Sequence, residues 1–90
     1  MSVTKVLNII NEKGLHARAS ARFVEVVEQF DAQAEVEKDG MRVSGDSIMG
    51  LLMLAAARGT AIHVTTQGAD EQALATALQT LIDSRFGEEI

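Results

Sequence analysis

Two side chains in this sequence are placed where they could do chemistry together: His16 and, two positions on, Arg18. They stand in the stretch KGLHARAS, residues 13–20, where a glycine-containing loop runs into what reads as a helix. A helix that begins just after His16 has first-turn N–H groups with no intrahelical partners, and these point towards the histidine. The macrodipole adds partial positive charge at the same end. Such an end is ready to hold a phosphoryl group. Arg18 contributes a permanent cation whose planar fork suits phosphate oxygens. The same positive field disfavours imidazolium and favours the neutral ring. A neutral imidazole is what nucleophilic attack on phosphorus requires. Taken alone, G-x-H-x-R is a weak signal, because a histidine at such a junction also serves as a simple helix cap. The other histidine, His63, lies in TAIHVTT without metal-ligand spacing and reads as structural or exposed. No metal site and no glycine-rich nucleotide cradle is apparent. No cofactor is therefore expected, and phosphate has to come from another protein or a small donor.

The elements that must position these residues are legible from periodicity. Val3 to Ile10 is rich in β-branched and apolar residues and reads as a first strand. Gly14 permits a sharp turn in the loop that follows. From Ala17 the period changes: Ala19, Phe23, Val26, Val27 and Phe30 form one apolar face of a helix reaching about Gln29. Ala34 to Lys38 alternates as a half-buried strand does, and Asp39-Gly40 leads into Met41 to Ser44. Asp-Gly between two alternating runs marks a hairpin with a type I′ turn. GDSIMGLLMLAAARG reads as a short helix entered at Asp46 or Ser47, with Gly59 as its stop. TAIHVTT is a fourth strand. Asp70 can cap a last helix whose face is Leu74, Ala77, Leu78, Leu81 and Ile82. GEEI at the end reads as a frayed tail. The order is β-α-β-β-α-β-α, an α+β chain, and a sheet covered by helices on one face is the simplest two-layer solution.

Composition narrows the function classes. With 90 residues the chain reads as a single domain, residues 1–90, large enough for a core without staples. It has no cysteine, which removes disulfides, thiol nucleophiles and thiolate zinc sites. Thirteen acidic against 8 basic residues give a net charge of −5. That surface repels phosphate backbones. Three phenylalanines are the only aromatics, too few for base stacking. Nucleic acid is therefore not an expected partner. No apolar run approaches the roughly 18 residues of a membrane span. The N-terminus lacks a signal-peptide core, so a cytoplasmic location and no membrane insertion are expected.

GLHARAS near the N-terminus together with GDSIMGLLML some thirty residues later resembles the histidine-containing phosphocarriers of the bacterial phosphotransferase system, the HPr family. The resemblance covers nearly the whole chain. It implies a two-layer open-faced sandwich: a four-stranded antiparallel sheet in order 1-4-2-3, with three helices on one face. It implies that His16 accepts a phosphoryl group on Nδ1 from phospho-enzyme I and passes it to an enzyme II A protein, without itself being an enzyme. Arg18 matches the phosphate-stabilising arginine. The family usually reads G-L-H-A-R-P-A, and here Ala19 stands in the proline position. Alanine is a good helix former, so the helix is expected to survive.

The second motif has two readings. Ser47 matches a serine that an ATP-dependent HPr kinase phosphorylates in some members, and a serine there is also a good N-cap. Docking residues implied by the resemblance are Ala17, Ala21, Glu25, Ile48, Met49 and Leu52, while Met53 and Leu54 are expected to point inward. Sugar-branch carriers often place lysines on the exposed face of the first helix. Here that face carries Glu25 and Glu28, which, with GLLMLAAARGTAI, points to the nitrogen-related regulatory branch; the alternative is a sugar-transport HPr. Two further readings stand beside the carrier: a docking module switched by phosphorylation, and a small ligand-binding domain without phosphate chemistry. A carrier presenting one site to successive partners is expected to be a monomer.

Overall fold

A computed structural model describes residues 1–90. Its elements are β1 (Ser2–Asn8), α1 (Ala17–Glu28), β2 (Gln33–Lys38), β3 (Met41–Ser44), α2 (Ile48–Met53), β4 (Ala61–Gln67) and α3 (Glu71–Asp83), followed by a 3₁₀ turn at Arg85–Gly87. The four strands form one antiparallel sheet in the order β1-β4-β2-β3. This is the open-faced sandwich expected from the sequence.

Alternation along the strands separates the two faces. Leu7, Val36, Ile62 and Val64 are buried, and they meet Phe23 and Val27 of α1, Leu51 of α2, and Leu74, Leu78 and Ile82 of α3 in one core. The opposite face carries Thr4, Glu35 and Thr65 in one row, and Val6, Glu37 and His63 in the next. His63 is exposed there. An antiparallel sheet with one solvated face needs this pattern, because its second layer covers only one side.

The hairpin joining β2 and β3 has positive φ at both Asp39 (52°) and Gly40 (84°), as its two-residue turn requires. Helix α1 starts at Ala17 and keeps Ala19, Phe23 and Val27 buried, so alanine in place of proline leaves the first turn intact.

Four local expectations are corrected. α2 ends at Met53, well before Gly59, and Ala55 takes a positive φ of 52°. The chain turns out early because Ala56, itself buried, presents its carbonyl to Leu15 N–H at 2.9 Å. That early exit leaves Met53 exposed (64%) instead of inward, while Leu54 is buried as expected. Asp70 occupies the N-cap position of α3, but its carboxylate makes no cap bond and accepts from Asp31 N–H at 2.8 Å. Residues 87–90 are not a frayed tail: Phe86 is fully buried, and the chain beyond it folds back onto the loop before α1.

Candidate functional site

The loop between β1 and α1 is held from inside by Asn11, a fully buried side chain. Its Nδ2 donates to the Gly14 carbonyl at 2.8 Å and to Glu88 Oε1 at 3.0 Å. Its Oδ1 is buried without a partner. Gly14 has φ +66°, and a Cβ there would lie 2.6 Å from the Ala56 carbonyl oxygen, so both conformation and space demand glycine. Leu15, buried, straps the loop to the segment after α2 through its N–H. The loop is therefore fixed on two sides before the helix begins.

His16 occupies the N-cap position of α1 with extended backbone angles, φ −80° and ψ −176°. Its carbonyl accepts the first intrahelical bond, from Ser20 N–H at 2.8 Å, which leaves the N–H groups of Ala17, Arg18 and Ala19 at the open end. The ring makes no capping bond, so the simple-cap reading does not hold. Instead Nε2 pairs with Glu88 Oε2. The imidazole keeps about a quarter of its surface open (27%), against 19% for Glu88. Arg18, two residues into the helix, is exposed and takes part in none of the molecule's ion pairs. It is free to meet an incoming anion.

Glu88 reaches this position because the tail is bent and tied. Arg85, Phe86 and Gly87 all have positive φ (57°, 56° and 80°), a reversal that costs conformational energy at the two non-glycine positions. Burial of the Phe86 ring offsets that cost. Arg22 of α1 donates from Nη1 to the Phe86 carbonyl at 2.9 Å. Glu12 N–H donates to the Ile90 carbonyl at 3.1 Å. Partial burial pushes the Glu88 carboxyl up, but hydrogen bonds from His16 and Asn11 and the nearby charges of His16 and Lys13 outweigh it. The group is held below its ordinary value of 4.5 and stays ionised.

The structure places His16 at the N-cap of α1 and Arg18 in its first turn, and it sets Glu88 and Asn11, which sequence reading missed, against the histidine loop. On α1, Ala17, Glu25 and Glu28 are exposed and Ala21 is half-buried. On α2, which packs against α1, Ile48 (40%) and Met49 (70%) are exposed and Leu52 is half-buried. Ser47 caps α2, its Oγ accepting from Gly50 N–H at 3.0 Å. No three His, Cys, Asp or Glu side chains converge as a metal ion would need.

A family model described as "PTS HPr component phosphorylation site" matches residues 3–84, which include His16 and both motifs. The chain belongs to the HPr family. It is 52% identical over 82 residues to the phosphocarrier protein HPr of Neisseria meningitidis, covering 91% of this chain and 92% of that one. Identity to the HPr of Cupriavidus necator is 46% over 80 residues, with 89% and 90% covered. Among solved structures, HPr-C-His from Thermoanaerobacter tengcongensis superposes with a TM-score of 0.93 at 40% identity, covering 98% of this chain and 99% of that one. HPr membership makes the protein a phosphocarrier of the phosphotransferase system. No helix in it is long and apolar enough to cross a membrane.

Proposed function

We propose that His16 is the phosphoryl acceptor of this HPr, receiving the group from phospho-enzyme I and passing it to an enzyme II A protein. The observation that carries this is the open α1 N-terminus: a partly exposed imidazole at the N-cap, three N–H groups without intrahelical partners, and Arg18 exposed and unpaired in the first turn. A phosphoryl group bound there meets unpaired N–H donors and a helix end that favours negative charge. Incubation with phosphoenolpyruvate and matched enzyme I tests the reading. One phosphate should be gained, labile in acid and stable in base, as a phosphoramidate is. No gain under any donor would leave a small ligand-binding domain without phosphate chemistry.

Arg18 binds the oxygens of the transferring group as it passes through a loose, metaphosphate-like transition state. Charge-assisted hydrogen bonds to an anion contribute about 1.5–3 kcal/mol. Arg18→Ala should slow transfer roughly 10- to 100-fold, at about 1.4 kcal/mol per decade, with the fold unchanged because the side chain is exposed. Stopped-flow or quench measurement of the acceptance rate checks this, and a rate equal to the parent's would reduce Arg18 to a surface charge.

The carrier is assigned to the nitrogen-related regulatory branch. Glu25 and Glu28 give the C-terminal half of α1 an acidic exposed face, which discriminates between alternative enzymes I by like-charge repulsion. Reversing both to lysine should shift preference towards a sugar-branch enzyme I. The shift should shrink as salt rises, since exposed charges are screened over roughly 10 Å at 0.1 M. Unaltered preference at low salt would remove the argument for the regulatory branch.

A further inference from the structure

We propose that Glu88 is a positioning residue that fixes the tautomer of His16, placing the ring's lone pair on Nδ1 and supporting the positive charge the ring acquires on phosphorylation. The inference rests on His16 being the phosphoryl acceptor.

Three observations carry it. Glu88 Oε2 pairs with Nε2 and with no other side chain, while Oε1 is held by the buried Asn11 amide. A carboxylate can only accept, so Nε2 must be the donor and must hold a proton. A neutral ring with its proton on Nε2 has its nucleophilic lone pair on Nδ1. The second observation is that nothing in the chain competes for Nδ1: the ring makes no capping bond to the helix, and Nε2 carries its one contact. The third is the effort of placement. The tail is reversed through three consecutive positive-φ residues, anchored by a buried ring and tied by Arg22 and Glu12, and this brings Glu88 to the histidine. A tail that only covered the core could stop at Phe86.

The arrangement follows the logic by which a buried carboxylate orients a catalytic imidazole. In the transfer step the Nδ1 lone pair forms the bond to phosphorus. The bond from phosphorus to the donor's leaving atom breaks, and its electron pair stays with the donor. Nε2 keeps its proton, so positive charge develops on the His16 ring beside the Glu88 carboxylate. The return of the group to an acceptor reverses this, and the ring becomes neutral again. Asn11 acts one step further out, holding Oε1 so that Oε2 faces the ring. Lys13 is the one other charged group bearing on this carboxylate, and it favours the ionised form.

The test pairs a spectroscopic readout with a rate. Imidazole ¹⁵N chemical shifts report the tautomer directly in the unphosphorylated protein, without any donor. The parent should show the proton on Nε2. Glu88→Ala should move the population towards the Nδ1–H form and slow phosphoryl acceptance by roughly 10-fold, the lower end for a charge-assisted hydrogen bond in a partly open site. Glu88→Gln keeps an acceptor for Nε2–H but no charge, and should restore the tautomer while recovering only part of the rate. Unchanged ¹⁵N shifts in Glu88→Ala, or an acceptance rate equal to or above the parent's, would overturn the proposal and make Glu88 a tail clamp. Loss of all labelling in the parent would strike at His16 as acceptor instead, so the two failures are separable.

Discussion

His16→Ala should abolish phosphoenolpyruvate-dependent labelling altogether while the protein stays folded. Both halves of that expectation come from the geometry. In the proposed reaction His16 supplies the nitrogen to which the phosphoryl group is bonded, and the one other imidazole, His63, lies exposed on the open face of the sheet, away from the helix layer. No second nucleophile of the same kind is available at the α1 end. The fold should survive because the ring makes no capping bond and does not belong to the core. Its backbone carbonyl, which receives the Ser20 N–H, is unchanged by the substitution. Some loosening of the tail should follow, since Glu88 would keep only its Asn11 bond. Intact-mass measurement after incubation with enzyme I, beside a circular dichroism melt, reads both outcomes. His63→Ala should label as the parent does. Persistent acid-labile phosphate on His16→Ala would identify a different nucleophile.

Phosphorylation of Ser47 should block the His16 reaction by weakening docking roughly 100-fold, without unfolding the protein. A phosphoserine adds about −1.5 to −2 charges at pH 7. At the start of α2 that charge meets N–H groups without intrahelical partners, one of which, from Gly50, already bonds Ser47 Oγ, though neighbouring Asp46 offsets part of the gain. The damage falls on the surface. Ser47 adjoins Ile48 and Met49, apolar side chains exposed to solvent, as a docking patch would need. A dianion there must be desolvated when a partner closes over it, and it faces any acidic group across the interface. Such juxtapositions cost several kcal/mol. About 3 kcal/mol corresponds to the 100-fold loss. The measurement is the rate at which enzyme I phosphorylates His16 on protein quantitatively phosphorylated at Ser47. An unaltered rate would leave Ser47 as a helix cap and nothing more.

What could be read in the sequence, and what could not, divides along contact range. Asp39-Gly40, the α1 face from Ala19 to Val27 and the α3 face at Leu74, Leu78 and Ile82 are set by neighbours within one or two turns, and periodicity reports those directly. His16 and Arg18 were legible because a helix N-terminus is itself a local object. The end of α2 was not, since it depends on Leu15 claiming the Ala56 carbonyl from the far side of the molecule. Once the helix stops at Met53, that methionine is turned outward, against the expectation from its hydrophobicity. Asp70 looked like a cap and spends its carboxylate on Asp31 instead. The tail was the largest miss. Glu88 and Glu89 carry no periodic signal, and only the lone Phe86 hinted that the segment had a reason to be buried. An acidic pair at the end of a chain looks the same whether it is solvated or docked.

His16 and Glu88 are 72 positions apart, and β4 must slot between β1 and β2 before the sheet is complete. Both facts concern order in time. During synthesis the first strand, its loop and α1 leave the ribosome long before the strand that pairs with β1 exists. The histidine is then attached to a segment with no sheet neighbour and no carboxylate on its ring. Non-local pairing of this kind makes folding slow relative to local helix formation. The nascent chain therefore passes through a long interval in which His16 is present but its Glu88 partner is not. Glu88 reaches the ring only once the last few residues are in place, so the contact that holds the imidazole is among the last in the molecule to form.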